Sequence, residues 1–301
     1  MKPDVNKLLQ ESTYYSSDNT VNEFLRKIIM KSNDKNKMPL WKWIAELVVG
    51  LLVFILLYAF LQSTCMSVGN PWLKLVLPLI GGAVMLGCYA LYIKAFEKRA
   101  ATEISIKKVA KDILEGLLIG GLFMSLVVAI LAIFGVYRID HINFNAYGLL
   151  LGFVFYFLVA SGEEIICRGV IFGLIDRRFN IVVALIVSAF TFGFAHIAQV
   201  NFATAVAISL EAGFMFAAAY KLKNSLWLPI GIHWMWNFTL GSIYGVNVSG
   251  LPQEPLLLAP QISGPEILTG GANGFEGSIV ACILGVLLGV LFLYLRKRKA
   301  N

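Results

Sequence analysis

Eight apolar runs, each close to the twenty or so residues that a helix needs to cross a hydrocarbon core about 30 Å thick, dominate this 301-residue chain. They cover roughly 43 to 63, 73 to 95, 113 to 136, 146 to 167, 181 to 197, 202 to 220, 226 to 244 and 278 to 295. In lipid, every backbone N–H and C=O must find its partner inside the protein, which leaves helices and closed barrels. Barrel strands alternate apolar and polar residues, whereas these runs are continuous. The expected fold is therefore all-α: a polytopic membrane helix bundle of about eight transmembrane helices. With 58% hydrophobic and only 14% charged residues, a water-soluble domain is excluded.

The charges between the runs alternate as the positive-inside rule requires. Lys and Arg gather in the N-terminal tail, at Lys94, Lys98, Arg99, Lys107, Lys108 and Lys111, at Arg177 and Arg178, at Lys221 and Lys223, and from Arg296 to Lys299. The intervening connections at 64 to 72 and 198 to 201 carry none, and 245 to 277 carries Glu254, Glu266 and Glu276. Both termini are thus expected to be cytoplasmic. The same distribution accounts for the net charge of +7 without nucleic acid, and makes the lipid bilayer the expected partner.

Five regions follow: a polar cytoplasmic tail (1–40), three variable transmembrane helices (41–145), four catalytic-core helices (146–244), an outer Pro/Gly-rich loop (245–277), and a last helix with a basic cytoplasmic tail (278–301). The tail lacks the short basic start and early apolar core of a cleavable signal peptide, so the first span is expected to target the chain to the cell membrane as a multi-pass protein. Lys31 to Lys37, with its Lys, Asn and Ile-rich surroundings, suggests a bacterial plasma membrane. Pro252, Pro255, Pro260 and Pro265 preclude a continuous helix in the outer loop, leaving either a flexible excursion or a structured cap. Gly116/Gly120 and Gly285/Gly289 suit close helix packing. The four cysteines have no metal-ligand spacing, and a single bridge between Cys65 and Cys282 stays open.

Three fragments set ionisable or amide groups inside otherwise apolar sequence: Glu163 to Arg168, Phe192 to His196, and His233 to Asn237. Such groups are costly in a membrane, which points to chemistry. Adjacent helical positions diverge by about 100°, so Glu163 and Glu164 cannot serve one site equally. Arg168 lies four residues beyond Glu164, the spacing of a helical ion pair. Glu164 and Arg168 are therefore assigned to structural support of the site, and Glu163 is left to face a cavity as the catalytic base.

His196 would share the proton or orient the water. His233 and Asn237, four apart on one helix face, suit the stabilisation of a developing oxyanion. Glu211, mid-span with no offsetting charge in its own run, is a possible additional site residue, read first as a structural partner of Arg168. Trp227, Trp234 and Trp236 either line a substrate path or pack. One carboxylate with two imidazoles is also a common zinc set, so Glu163, His196 and His233 are the ligands of an alternative metal-assisted site. No cofactor is otherwise implied, and there is no His-Glu-x-x-His pair.

The ordered trio of a Glu-Glu pair with Arg four after the second, then Phe-x-x-x-His from Phe192, then His-x-x-x-Asn, resembles the CPBP family, the CAAX proteases and bacteriocin-processing proteins, whose eukaryotic members resemble CAAX prenyl protease 2. The resemblance covers about residues 146 to 244. It implies an intramembrane endopeptidase in which Glu163 and His196 activate water while His233 and Asn237 form the oxyanion site, with Phe192 in support and a membrane-associated peptide or protein as substrate. It also implies links to peptide maturation or bacteriocin immunity. A non-proteolytic scaffold or immunity protein, binding a sensor kinase or another membrane partner, is the competing function.

Overall fold

The computed structural model describes residues 38–300, with side chains to residue 298. Most of the expected N-terminal tail, and the last residues of the C-terminal one, lie outside the described residues. Helix α1 (Leu40–Ser67) is followed by α2 (Pro71–Tyr92), which Asn70 caps by accepting from the Trp72 and Leu73 N–H groups. α2 runs on through a π-helical stretch to Glu97. Next come α3 (Ile106–Ile133), strand β1 (Tyr137–Ile142), and α4, continuous from Ala146 to Arg178.

Asn180 accepts from the Val182 and Val183 N–H groups to start α5 (Ile181–Phe194). α6 spans Phe202–Lys223, and α7 spans Trp227–Asn237 with a π-helical continuation to Ile243. Strand β2 (Leu258–Ile262) and α8 (Ile279–Ala300) complete the described chain.

Six of these helices (α1, α2, α3, α4, α6 and α8) are long and apolar enough to cross a membrane. The other two predicted spans are shorter. α5 has 14 residues, and α7 has 11 before its π turn. α7 is apolar because nearly all of it is buried inside the bundle, and hydropathy alone does not distinguish a core helix from a lipid-facing one. The bundle is all-α as expected, with one addition in its connections: β1 and β2 pair antiparallel, Tyr137 opposite Ile262, and Pro and Gly in the outer loop favour extended backbone there.

Ion pairs gather three basic connections at one end of the bundle. Arg99 binds Glu97 at 2.6 Å and Glu103 at 2.8 Å, Arg177 also binds Glu97, Lys221 binds Asp176 at 2.9 Å, and Lys223 binds Glu115 at 2.7 Å. The β1–β2 ribbon ties the connection after α3 to the outer loop, and the Tyr147 hydroxyl donates to the Pro71 carbonyl, so the poorly charged connections meet at the other end. The alternation of loop charge thus has a counterpart in space.

α3 lies against α7 where Gly116 and Gly120 let backbones touch: a Cβ at Gly116 would stand 2.6 Å from the Leu228 carbonyl. Gly285 does the same for α8 on α6, against Glu211. All four cysteines are free, so the Cys65–Cys282 bridge is not formed. The outer loop is a built cap rather than an excursion. It contains β2 and three short helical turns, and buries Phe275 and Glu276.

Candidate active site

The α4–α5 hairpin sets the depth of the site. Glu163 lies fifteen residues before Arg178 and His196 fifteen residues after Ile181, so at about 1.5 Å per residue both stand roughly 22 Å from the turn between the helices. Read as a span ending near 167, α4 would keep the two apart; its extension to Arg178 puts Glu163 midway along a 33-residue helix, level with His196. The short α5 ends just where the imidazole is needed.

Glu163 Oε2 stands 3.9 Å from His196 Nε2 and 3.9 Å from His233 Nε2. Both nitrogens face one carboxylate oxygen, beyond a direct hydrogen bond. His233 is therefore as close to Glu163 as His196 is, a pairing that its sequence assignment to the oxyanion side did not include. The other carboxylate oxygen, Oε1, accepts from the Tyr58 hydroxyl of α1 at 3.1 Å. Sequence reasoning missed Tyr58. Its only signal is a hydroxyl in an apolar run, and Gly162 makes room for it: a Cβ there would collide with the tyrosine ring. The Glu163 and His196 side chains keep 20% and 15% of their surface exposed, against 5% for His233, so the site opens on the α4–α5 side.

The far nitrogens fix the tautomers. His196 Nδ1 lies 2.9 Å from the Phe192 carbonyl, an acceptor only, so that nitrogen carries a proton and Nε2 points toward Glu163. His233 Nδ1 lies 3.1 Å from Glu164 Oε1 and donates to that carboxylate. Glu164 Oε1 also accepts from Arg168 Nη1 at 2.8 Å, both side chains being fully buried. Arg168 Nη2 donates to the Gly213 carbonyl at 2.9 Å, and its guanidinium lies over Phe192 at 4.5 Å and Phe216 at 5.3 Å. Glu164, Arg168 and Phe192 thus brace the imidazoles. Phe192 packs against both rings, at 5.3 Å from His196 and 5.6 Å from His233. Phe216, unremarked in the sequence, stacks on His233 at 5.0 Å.

Three π-helical stretches adjoin these residues: Ile165–Phe172 after Glu164, Ser209–Gly213 where Arg168 docks, and Phe238–Ile243 after Asn237. π turns free or displace backbone groups and recur at functional sites; here one of them holds the carbonyl that receives Arg168. Asn237, buried and one turn beyond His233, forms no side-chain hydrogen bond among the described residues.

One sequence reading fails: Glu211 does not pair with Arg168, whose Nη atoms go to Glu164 and to the Ala212 and Gly213 carbonyls. Both Glu211 oxygens are buried without a partner, beside Gly285 of α8 and apart from the Glu163 cluster. Of the readings open for the three tryptophans, packing has contacts behind it: Trp227 donates to Ser105, Trp234 to Phe153, and Trp236 to Glu276. For a metal, Glu163 Oε2 with the two Nε2 atoms is the only convergent set near the base; among the described residues no group of three or more His, Cys, Asp or Glu has metal-site spacing.

A search of curated proteins found no match. Residues 143–239, about a third of the chain, match the family model described as Type II CAAX prenyl endopeptidase Rce1-like. That segment holds Glu163, Glu164, Arg168, His196, His233 and Asn237, and the match over it supports placing the chain in the CPBP family of CAAX proteases.

Proposed function

We propose that the protein is a multi-pass intramembrane endopeptidase that hydrolyses a membrane-associated peptide or protein with a water activated by Glu163. The observation that carries this reading is the facing of one Glu163 oxygen by two imidazole nitrogens at equal 3.9 Å distances, a span that suits one water shared among the three groups. Glu163 takes a proton from that water as its oxygen bonds to the scissile carbonyl carbon. The Asn237 amide donates to the oxygen that becomes negative, and His233 stands beside it. Collapse breaks the C–N bond, and the proton on Glu163 passes to the leaving nitrogen. Tyr58 and the two imidazoles orient the base, while Glu164 and Arg168 hold His233.

The reading includes cytoplasmic termini, a cell-membrane location of bacterial type, and no metal. It is tested by comparing new peptide termini in membranes carrying wild type and Glu163→Gln: termini that vanish with the variant support it, and identical termini refute it. Full biological rescue by Glu163→Gln would instead indicate a scaffold that engages a sensor kinase or another partner. Stoichiometric zinc lost together with activity would indicate the metal-assisted route through Glu163, His196 and His233.

A further inference from the structure

Glu276 lies in the outer loop, beyond the segment that the family model matches. It is 4% exposed, yet it has no Lys or Arg within ion-pairing distance among the described residues. Its two oxygens are occupied by N–H donors: Oε1 accepts from Trp236 Nε1 at 2.8 Å, and Oε2 from the Ser249 backbone. A group flanked by two donors must be an acceptor at both ends, which a carboxylate is and a glutamine is not. Ser249 holds φ 49, a left-handed conformation that costs a non-glycine residue and persists where its surroundings impose it.

The loop is anchored to deliver this carboxylate. The Asn273 side chain donates to Thr204 Oγ1 at the start of α6 at 2.8 Å, and Gly270 and Gly274 take φ values of 70 and 84 in turns where a Cβ would collide with backbone.

The tryptophan it grips lies between His233 and Asn237. Trp236 is 1% exposed, stacked on Phe123 of α3 at 4.7 Å and set edge-on to Phe216 at 5.7 Å. Phe216 in turn stacks on His233. α7 becomes π-helical right after Asn237, so regular helix does not by itself continue the register there. We propose that Glu276 is a positioning residue: by fixing the Trp236 indole it sets the rotation of α7, and with it where His233 and Asn237 point. Burial pushes the Glu276 carboxyl up, while the Ser249 and Trp236 N–H groups and the His196 and His233 imidazoles pull it back. Those imidazoles, with Glu211 and Tyr156, are the titratable groups that face it.

The catalytic consequence rests on the hydrolase reading; the geometric one does not, so the test has two arms. In the first, full-length protein in detergent is labelled with ¹⁵N at histidine rings and tryptophan indoles, with Trp236→Phe and His141→Asn used for assignment. Glu276→Gln is expected to shift the Trp236 indole and the His233 ring signals while His141 stays in place, Glu276→Asp to give smaller shifts, and Glu266→Gln, in the same loop, to give none. In the second arm, a quenched-fluorescent peptide ending in a farnesylated CAAX box is the probe. Glu276→Gln is expected to lower kcat about 10- to 100-fold with KM within about 2-fold, the effect of a small misalignment of catalytic groups.

His233 signals in Glu276→Gln that superimpose on wild type would overturn the proposal, whatever happens to thermal stability. If Glu276→Ala fails to fold, Glu276→Gln and Trp236→Phe still decide it. If wild type leaves the peptide intact, that counts against this substrate class, and the spectroscopic arm decides on Glu276 alone.

Discussion

Glu163 and Glu164 are neighbours in the chain, and the structure predicts opposite consequences for removing their charges. Glu164→Gln leaves the Arg168 guanidinium, fully buried, facing only the Gly213 and Ala212 carbonyls and two aromatic faces. Breaking a buried pair from one side costs about 3 to 5 kcal/mol, because the remaining charge is uncompensated. The expected readout is a melting temperature lower by about 10 °C, on the scale of a few degrees per kcal/mol, followed by tryptophan fluorescence in detergent. Cleavage by the fraction that stays folded should fall less, since His233 loses one acceptor and keeps its packing on Phe216. Glu163→Gln removes a partly exposed carboxylate that has no Lys or Arg partner among the described residues, so its melting temperature should stay within about 2 °C, while cleavage falls about 10²- to 10⁴-fold, the usual contribution of a general base. If Glu164→Gln melts like wild type, or Glu163→Gln cleaves like wild type, the division of labour between the two carboxylates is wrong.

Asn237→Ala should lower kcat about 10²- to 10³-fold with little change in melting temperature, as loss of one oxyanion donor does; an unchanged kcat would remove Asn237 from the site. Tyr58→Phe deletes one hydrogen bond to a carboxylate, worth about 1.5 to 3 kcal/mol, and should lower kcat about 10-fold; an unchanged kcat would make Tyr58 packing alone. Glu211→Gln should leave melting and cleavage close to wild type, and a several-fold loss of cleavage would show that Glu211 belongs to the site after all. Burial alone would raise the Glu103 carboxyl, but hydrogen bonds from Arg99 and Tyr89 outweigh it and hold the carboxyl below the usual range. A depressed folded value contributes stability above the unfolded value near 4.5 and loses it as pH falls through the folded one. The gap in melting temperature between wild type and Glu103→Gln should therefore be full at pH 6 and close below about pH 4; a gap that widens on acidification refutes that assignment.

What the sequence disclosed, and what it hid, follows the range of the interactions. The Glu164–Arg168 contact is legible because four-residue spacing is local and helical geometry is rigid. Alternating loop charge was likewise enough to anticipate which connections cluster. Tyr58 and Glu163 are 105 residues apart, and no local rule links a tyrosine in one apolar run to a carboxylate in another. The misreading of Glu211 has the same origin: an unpaired carboxylate and a buried arginine invite pairing on paper, yet the Arg168 Nη atoms go to Glu164 and to the Ala212 and Gly213 carbonyls, at a π turn that the sequence does not announce. The runs at α5 and α7 read like the longer ones because hydropathy registers apolar surroundings, and protein interior is as apolar as lipid. The Glu276 signal was present as an acid in the outer loop, but it reads as solvated surface until the loop is seen folded over Trp236.

These long-range contacts alter what the matched segment means. Residues 143–239 carry the base, both imidazoles and the amide, and so contain the reacting groups that the proposed chemistry needs. Their orientation comes from outside that segment on both sides. Tyr58, from α1, binds one oxygen of Glu163, leaving the other to face the imidazoles; Glu276, from the outer loop, holds the tryptophan between His233 and Asn237. Phe123 of α3 supplies the surface on which that tryptophan rests, and α3 itself meets α7 through glycines that admit nothing larger. The base and the oxyanion donors are thus oriented by separate flanks. Sequence drift in α1 would change the orientation of Glu163, whereas drift in the outer loop would rotate His233 and Asn237. On this structure, changes in the regions flanking the motifs would reorient the four polar residues without replacing any of them.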